Sequence, residues 1–311
     1  MKPIWVSGHR KCGTTLLTNL FDGHKDIVNY GSDFRFIYAI YNGFDEFKNT
    51  KHVRDRILRV FSDDRSIDEV ICVDFIESII DEIDLKNKDF VWDYLIKLQH
   101  KVSKEFKGKK LMIKETSSEM YRQSIASSID PYFIHMVRDP RDNWAAISAG
   151  IDSYYSPMGE GNWEALSSLV NRVNFGFNAY SRSISGLTTA KKPIAIKFEN
   201  LVSNTIETVQ YLCNFIEIDY NDILLTPTRN GKLYTGNSHD KKKFTKVSEN
   251  NVGRFLERIP RNEVAIIESL CEPMMINFDY ELITTALERE DALESFYAFY
   301  NQRYFYYDKY K

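Results

Sequence analysis

The sequence predicts an α/β protein in which helices cover both faces of a parallel sheet, a three-layer arrangement. Short apolar segments alternate with amphipathic segments along most of the 311 residues, and strands that are separated by helices pair in parallel. Charged and polar residues follow four of the five predicted strands, at the end of the sheet where ligands bind in folds of this class. Hydrophobic residues make up 43% of the chain and charged residues 27%, which is typical of a globular protein with a substantial core.

The first predicted strand, residues 4–6, leads through a glycine-bracketed loop into a helix predicted at residues 14–21. Gly8 and Gly13 bracket a loop that carries two cations. The order of strand, loop and helix directs backbone N–H groups and the positive end of a helix at one point, which is a typical anion site. The spacing of the glycines is close to that of the phosphate loop of nucleotide-binding proteins, so the predicted fold is P-loop NTPase-like.

The position directly after Gly13 departs from the phosphate-loop pattern. That pattern has a lysine at this point, which contacts the terminal phosphates, and then a hydroxyl that holds magnesium. Here Thr14 follows Gly13, and the lysine stands earlier in the loop, as Lys11. We interpret the loop as a site for a different phosphate-bearing ligand that is handled without a metal. An ordinary strand-to-helix turn with surface charges is the alternative interpretation.

The segment after the first helix predicts a second strand and then a helical insertion. Residues 26–30 have a strand pattern, and Asp33 is a candidate N-cap for a helix at residues 34–41. Residues 51–107 are predicted to be helical throughout, because apolar residues recur there at helical spacing. We interpret the stretch at about 45–108 as a helical insertion that caps one side of the sheet.

Three further apolar segments, at residues 111–113, 132–137 and 193–198, predict the remaining strands of the sheet. Between the last two, residues 163–187 predict a long helix, because apolar residues recur at alternating spacings of three and four. This narrow apolar seam indicates packing against the core. A coiled-coil homodimer is the alternative.

The last third of the chain predicts two amphipathic helices, at residues 199–215 and 262–275. The polar stretch between them, residues 226–250, has a length that is typical of functional or disordered loops. The tail at about 281–311 is rich in aromatic residues and is predicted to be a helical segment that docks on the core, with contact to a membrane surface as the alternative. The predicted organisation is a single domain over residues 1–311.

Composition and charge argue against several classes of partner. The net charge of −3 argues against nucleic acid as the main partner. The four cysteines lie far apart without Cys-x-x-Cys spacing, which predicts reduced thiols, no zinc site and a cytoplasmic location. The first strand begins close to Met1 and no apolar run reaches membrane-spanning length, so we expect neither a signal peptide nor a membrane span.

A second anion site is predicted where the strand at residues 132–137 ends. Asp139 fits the N-cap of the following helix and Pro140 its first position. Helix capping leaves Arg138 unexplained, and an arginine at the ligand end of a strand is well suited to forked hydrogen bonds with a phosphate. Ser148, about two helical turns further on, is a candidate for an additional hydroxyl. Two anion sites on one sheet suggest a ligand with phosphates at two ends.

The two motifs resemble those of the sulfotransferases that use 3′-phosphoadenosine-5′-phosphosulfate (PAPS). Residues 10–17 look like the family's 5′-phosphosulfate loop, and residues 138–142 look like its 3′-phosphate site. Residues 227–228 and 236–238 are similar to a late loop near PAPS in many bacterial members. The donor-binding residues that this resemblance implies are Arg10, Lys11, Cys12, Gly13, Thr14, Thr15, Leu16, Arg138 and Ser148.

The chain departs from the family pattern at three positions. Cys12 stands where serine is common, with little consequence if its backbone N–H makes the contact. The family's serine in the 3′-phosphate helix lies eight positions after the arginine; Ala146 occupies that position here, so Ser148 would have to serve. The small-molecule branch has a histidine base after the third strand, but residues 114–116 are Lys, Glu and Thr.

The resemblance implies two groups that would act on the acceptor. Residues 29–35 resemble the Gly-Glu-Glu-Thr-Arg segment of tyrosylprotein sulfotransferases, which puts the base at Asp33 and a substrate-facing arginine at Arg35. Glu115, at the end of the third strand, is the alternative base, and simple helix capping is the alternative role of Asp33.

The resemblance also implies groups that would neutralise charge during transfer, since positioning and electrostatics dominate such reactions. Lys11 is predicted to stabilise the bridging oxygen and the sulfuryl group. Lys114 matches a catalytic lysine of the tyrosylprotein branch, and Ser238 in the late loop is a candidate contact to the sulfuryl group.

We therefore expect a metal-independent sulfotransferase that converts PAPS to 3′-phosphoadenosine 5′-phosphate (PAP). Its acceptor would be a hydroxyl or amine of a small molecule or a carbohydrate. A nucleotide-dependent kinase with the same fold is one alternative, although Thr14 stands where its phosphate-binding lysine belongs. A non-catalytic protein that binds PAPS or another nucleotide is the other.

Overall fold

The computed structural model describes residues 1–62, 71–149, 162–185, 192–236, 243–244 and 246–308. Within these ranges the chain divides into two compact units. The first comprises residues 1–137, 178–236 and 243–248, and the second comprises residues 138–177 and 249–308. This division leaves the single-domain organisation of residues 1–311 a prediction.

The first unit is built on a parallel sheet. Its strands in the described part of the chain are β1 (Ile4–Gly8), β2 (Ile27–Asp33), β3 (Lys110–Lys114), β4 (Tyr132–Val137) and β5 (Ile194–Lys197). They pair in the order β2-β3-β1-β4-β5, and all pairs are parallel. The predicted α/β fold is confirmed. Every residue of β1, β3 and β4 is buried, as expected for parallel strands that are covered by helices on both faces.

Helices account for most of the remaining described chain. In order, they are α1 (Thr14–Leu20), α2 (Thr50–Ser62), α3 (Val73–Ile80), α4 (Phe90–Glu105), α5 (Arg122–Ile129), α6 (Pro140–Ser148), α7 (Asn162–Ile184), α8 (Phe198–Ser203), α9 (Thr205–Ile216), α10 (Phe255–Arg258), α11 (Arg261–Asn277) and α12 (Ala286–Asp308). None of the described helices combines the length and the apolar character that crossing a membrane requires.

The two faces of the sheet bury two separate hydrophobic clusters. Trp5 points into a cluster that α2, α3, α4 and α5 cover, whereas its neighbours Ile4 and Val6 point into a cluster that α1, α8 and α9 cover. This alternation follows from the two-residue period of a strand. The first cluster is rich in aromatic rings, with Phe36 stacked on Tyr94 at a centroid distance of 4.1 Å. The predicted helical insertion therefore packs on the sheet.

Two of the predicted helices are interrupted. The prediction of helix throughout residues 51–107 is wrong at residues 71–72 and 81–89, and residues 63–70 of that stretch lie outside the described residues. In the second of these breaks, the carboxylate of Asp84 and the amide oxygen of Asn87 each accept the backbone N–H two residues further on. Such local hydrogen bonds compete with the helix. The helix predicted at 199–215 is divided into α8 and α9 at Asn204, which leaves the helical region with φ −126° and ψ 55°.

Two further predictions in the first unit need correction. Asp33 is not a helix N-cap: it is the last residue of β2, and the short π-helical turn that follows begins only at Ile37. The polar stretch at 226–250 contains a small antiparallel hairpin, β6 (Thr228–Arg229) and β7 (Lys232–Leu233). Asn230 and Gly231 join these strands with positive φ angles of 52° and 70°, as a tight hairpin turn requires.

The second unit is helical and confirms the predicted start of α6. The Asp139 carboxylate caps this helix by accepting the Arg141 N–H at 2.9 Å, and Pro140 takes the first helical position. Three residues of the predicted seam of α7 are buried within the chain, namely Leu166, Val170 and Val173. This burial favours core packing as the role of the seam. Phe296 of α12 is also buried and packs on Trp163, at a centroid distance of 5.7 Å. The side chains of residues 300–311 lie outside the described part of the chain, so docking of the whole tail stays a prediction.

A buried ion network links α6 to α11 in the second unit. The Arg141 guanidinium donates to both oxygens of Asp139, at 3.0 and 2.6 Å, and to Glu268 at 2.5 Å. Glu268 is fully buried and also accepts the backbone N–H groups of Ile283 and Thr284, each at 2.9 Å. Arg141 therefore holds the unit together and is already committed to these carboxylates.

We expect Glu268→Ala to lower the free energy of unfolding of the second unit by about 3–5 kcal/mol, because it leaves the buried Arg141 charge without one of its partners. Denaturant unfolding followed by tryptophan fluorescence measures this change. Glu288→Ala is the matched control, because Glu288 pairs with Arg261 at the surface. Equal losses of stability in the two variants would contradict the stabilising role of the Arg141–Glu268 contact.

Candidate functional site

The loop between β1 and α1 depends on two glycines for its shape. Gly8 and Gly13 have φ angles of +147° and +99°. A Cβ atom on Gly8 would lie 2.5 Å from the Met136 carbonyl oxygen, and one on Gly13 would lie 2.6 Å from the Phe198 ring. In the described structure no side chain caps α1 at Gly13, and its first turn holds no acidic residue. The loop therefore leaves backbone N–H groups at the start of α1 for an oxyanion.

The side chains of the loop divide into two groups. Cys12 is fully buried and belongs to the core cluster below the loop, while its backbone N–H donates to the His9 carbonyl at 3.3 Å. Its thiol therefore faces the interior. Thr14 is also buried. The half-buried residues of the loop are Arg10, Lys11, Gly13, Thr15 and Leu16.

Asp33 and Lys114 form an ion pair at the carboxyl ends of two neighbouring strands. The two residues lie opposite each other in the parallel register of β2 and β3. The Lys114 ammonium donates to Asp33 Oδ1 at 2.6 Å. The Lys114 side chain is only 6% exposed, whereas that of Asp33 is 35% exposed. The pair therefore offers an accessible carboxylate supported by a buried cation.

Glu115 lies directly after β3 and holds the chain that leaves β2. Its carboxyl, 3% exposed, accepts a hydrogen bond from the backbone N–H of Arg35. The Phe34 N–H donates to the Lys114 carbonyl at 2.9 Å. Two backbone positions after Asp33 are thus tied to the end of β3. The structure brings together the four residues that sequence reasoning had selected at two distant places, namely Asp33, Arg35, Lys114 and Glu115.

The surroundings of Glu115 favour its neutral form. Burial is the main cause and raises the pKa of its carboxyl, and the nearby charge of Asp33 raises it further. The Arg35 N–H and the charges of Lys114 and Arg35 oppose this shift, and the resulting pKa is about 8. At neutral pH the site therefore pairs the Asp33–Lys114 ion pair with a largely protonated Glu115.

Backbone strain is concentrated at the carboxyl edge of the sheet. Lys11, Arg35 and Ser117 follow β1, β2 and β3, and each adopts a left-handed conformation, with φ of 63°, 59° and 57°. Residues other than glycine adopt this conformation at a cost, and such strain clusters at functional sites. The other non-glycine residues with positive φ in the described chain lie at helix ends or in the hairpin turn; they are Asp130, Glu217, Asn230 and Asp279.

Hydrogen bonds extend the ladder between β3 and β1 beyond the strands. The Glu115 N–H donates to the Val6 carbonyl at 3.0 Å, and the Ser117 N–H donates to the Gly8 carbonyl at 2.8 Å. The Tyr38 hydroxyl donates to the Ser117 carbonyl. These contacts join the end of β3 to the glycine loop. Sequence reasoning missed Ser117 and Tyr38, because neither belongs to a motif.

The late hairpin is anchored to the end of α1. The Asp22 carboxylate accepts the Thr228 hydroxyl at 2.7 Å and the Gly231 N–H at 3.0 Å. Tyr234 follows the hairpin in sequence. Burial raises the pKa of its hydroxyl, the charge of Arg229 opposes this shift, and the charge of Asp33 adds to it. Tyr234 therefore lies within electrostatic reach of Asp33.

Asp22 and Tyr234 were not recognised in the sequence. Neither belongs to a motif, and the contact between Asp22 and Thr228 joins residues that are 206 positions apart, so no local pattern points to it. Ser238, the predicted contact in this loop, lies outside the described residues, as does Asn237.

Arg138 opens the second unit and is 5% exposed. Its Nη2 donates to the Asn251 carbonyl at 2.5 Å and lies 4.0 Å from an Asp142 oxygen. Asp142 accepts the N–H groups of Gly253 and Phe255 at 2.7 and 3.0 Å. Burial raises the pKa of Asp142, and the Arg138 charge opposes that shift. Arg138 therefore lies against the turn at 251–255, in contrast to Arg141, which the buried ion network engages.

Ser148 is the last residue of α6 and is half-buried. Its hydroxyl donates to the Ala145 carbonyl at 3.4 Å. With 3.6 residues in each helical turn, Ser148 is rotated by about 200° from Ala146, which holds the family's serine position. The hydroxyl of Ser148 therefore lies on a different side of α6, and its role in donor binding stays a prediction.

A metal ion in a protein of this kind would need a cluster of ligating side chains. Among the residues that the structure describes, no group of three or more histidine, cysteine, aspartate or glutamate side chains is arranged to hold a metal ion.

Comparison with known proteins relates this chain to one family. A model of the sulfotransferase family matches residues 3–222. The sulfotransferase domain from the curacin biosynthetic pathway is similar in structure, with a TM-score of 0.60 at 14% identity over 90% of this chain and 98% of that domain. The sulfotransferase domain of the Synechococcus PCC 7002 olefin synthase has a TM-score of 0.61 at 14% identity, over 90% and 95%. At this identity the likeness concerns the fold alone. A comparison with curated protein sequences finds no match.

We expect Gly8→Ala to destabilise the first unit by about 1–3 kcal/mol, because the new Cβ would press on the Met136 carbonyl in a strained backbone conformation. Chemical denaturation measures the loss. Gly43→Ala is the control, since the nearest atom to its Cβ belongs to the flexible Glu46 side chain, 3.7 Å away. A Gly8 variant as stable as the Gly43 variant would rule out the close approach.

The raised pKa of Glu115 predicts a pH-dependent stability. Its pKa rises from an ordinary 4.5 to about 8 on folding, so the folded state binds the extra proton and this contribution to stability is lost as the pH rises through about 8. We expect Glu115→Gln to flatten the fall in melting temperature between pH of about 5 and 8. Thermal melts across this range test it, with the surface variant Glu82→Gln as control. Parallel curves for wild type and Glu115→Gln would contradict the prediction.

Proposed function

The chain belongs to the sulfotransferase family, and from this premise we propose that it transfers a sulfuryl group from PAPS to a hydroxyl or amine. The acceptor class is a small molecule or a carbohydrate. The observation that carries the proposal is the Asp33–Lys114 pair, which lies at the ends of β2 and β3, the strands next to the glycine loop in the order β2-β3-β1. A carboxylate beside a buried ammonium suits proton abstraction coupled to charge neutralisation.

The glycine loop fits the 5′-phosphosulfate end of the donor. Close packing around Gly8 and Gly13 excludes side chains there, and such a loop lets the backbone approach an oxyanion. We assign the contacts to Arg10, Lys11, Gly13, Thr14, Thr15 and Leu16. The thiol of Cys12 is buried and its N–H donates to the His9 carbonyl, so a contact from Cys12 to the donor stays a prediction. When bound, PAPS supplies the sulfuryl group and is released as PAP.

In the proposed reaction, the Asp33 carboxylate accepts the proton of the acceptor hydroxyl or amine. The acceptor atom forms its bond to sulfur while the bond between sulfur and the 5′-phosphate oxygen breaks. Lys11 neutralises the charge that develops on that bridging oxygen, and Lys114 stabilises the transferring group while orienting Asp33. Arg35 is assigned to the acceptor. The two lysines supply the positive charge that a metal ion supplies in many phosphoryl transfers, so the proposed reaction is metal-independent.

The remaining assignments rest on the family resemblance. In the second unit, Arg138 is proposed to bind the 3′-phosphate, and the engagement of Arg141 in the buried ion network supports the choice between these two arginines. Ser148 is proposed as an added donor to that phosphate. Ser238 is proposed to contact the sulfuryl group. We further propose a cytoplasmic location, and either a monomer or a homodimer as the oligomeric state.

Two measurements test the proposed function. We expect PAP to bind in calorimetry, and sulfur-labelled PAPS to transfer its label to at least one member of a panel of hydroxylated and amino acceptors. Lys11→Ala should lower kcat by roughly 10²–10³-fold, because it removes a cation that acts on the developing charge. Lys25→Ala, at an exposed lysine of the same unit, is the matched control and should leave kcat unchanged.

Each alternative function has its own outcome in these measurements. Binding of ATP without affinity for PAP would replace the proposal with a nucleotide-dependent kinase. Tight PAP binding without transfer to any acceptor would favour a non-catalytic binding protein. Full activity of Lys11→Ala would remove Lys11 from the reaction.

A further inference from the structure

The Glu115 carboxyl occupies a position that the proposed reaction does not use directly. It is 3% exposed and accepts the N–H of Arg35, a residue in the left-handed conformation. Its own N–H is committed to the Val6 carbonyl at 3.0 Å. The side chain thus spans from the end of β3, which is tied to β1, to the segment that leaves β2.

The segment after β2 depends on this contact for its path. Asp33 is followed by Phe34, whose N–H bonds the Lys114 carbonyl at 2.9 Å, and then by Arg35 at φ 59°. The Arg35 carbonyl accepts the Ala39 N–H at 2.8 Å, which starts the next helical turn. A non-glycine residue keeps a left-handed backbone only where its surroundings over-determine it. The Glu115 carboxyl is the side chain that engages the N–H of this strained residue.

Exposure distinguishes Glu115 from Asp33 as a proton acceptor. A general base must reach the acceptor hydroxyl within hydrogen-bond distance. The Asp33 side chain is 35% exposed and Glu115 is 3% exposed, with Oε2 already occupied by the Arg35 N–H. The charged groups that act on Glu115 are Asp33, Lys114 and Arg35, and the raised pKa of Glu115 keeps a second negative charge away from Asp33 at neutral pH.

We propose that Glu115 is a positioning residue, whose carboxyl holds the Arg35 backbone in its left-handed turn and thereby fixes Asp33 beside Lys114. Its effect on turnover rests on the proposed sulfotransferase function, whereas its effect on the order of the 33–39 segment does not. Glutamine at position 115 keeps an oxygen that accepts the Arg35 N–H, and alanine removes it. The two substitutions therefore separate hydrogen bonding from proton transfer.

The test compares Glu115→Gln, Glu115→Ala and Asp33→Asn in amide hydrogen exchange, PAP binding and transfer kinetics. We expect faster exchange in residues 33–39 for Glu115→Ala and near wild-type exchange for Glu115→Gln. Glu115→Ala should lower kcat by about 10²-fold through misplacement of Asp33, with PAP affinity retained. Glu115→Gln should keep kcat within about tenfold of wild type, and Asp33→Asn should lose about 10²–10⁴-fold.

Several outcomes would overturn the inference. Loss of kcat in Glu115→Gln as large as in Asp33→Asn would make Glu115 the proton acceptor. Wild-type exchange and kcat in Glu115→Ala would show that the contact positions nothing. Glu115→Met, which fills the same volume without a strong acceptor, replaces Glu115→Ala if the cavity unfolds the protein, and Glu82→Gln on the surface is the control for all measurements. If wild type transfers no sulfuryl group, the proposed function fails, while hydrogen exchange still decides the role of Glu115.

Discussion

The pairing of β3 with both β1 and β2 is the constraint on which the rest of the first unit depends. Because the three strands run parallel, their carboxyl ends lie at the same edge of the sheet. The segments that leave β1, β2 and β3 therefore all begin at this edge. The hydrogen bonds of Glu115 and Ser117 to the Val6 and Gly8 carbonyls extend this pairing past the last strand residue. The glycine loop and the Asp33–Lys114 pair are thereby attached to a common support.

Strained backbone and buried ionisable groups lie at this edge of the sheet, where the proposed chemistry takes place. Three non-glycine residues with left-handed backbones follow three neighbouring strands, and a buried carboxyl with a raised pKa lies beside an ion pair. Local rules of residue preference are broken in this way mainly at functional sites. Elsewhere in the chain, buried charges such as Arg141 and Glu268 are matched by partners and serve packing. The two kinds of buried charge therefore have different roles.

Sequence reasoning succeeded where the signal was local. The strands of the sheet, the glycine loop and the capped start of α6 each follow from a few consecutive residues, whose apolar period, glycine spacing or capping chemistry permits few alternatives. It failed where a local signal was overridden. Asp33 has the chemistry of a helix cap, but the β2–β3 ladder includes it. Residues 81–89 lie within a stretch whose apolar residues recur at helical spacing, yet Asp84 and Asn87 bond the nearby backbone instead.

The sequence by itself determined the α/β class, the order of the elements and the candidate residues, because these depend on short-range patterns of polarity and turn chemistry. Only the tertiary structure decided how those residues are related. Asp33 and Lys114 are 81 residues apart and meet through strand register, which no local pattern encodes. The burial of Glu115 and of the Cys12 thiol likewise depends on the elements packed around them. Strand pairing between distant segments and exclusion of solvent are properties of the folded chain. They bring the candidate residues together and set the environment of each.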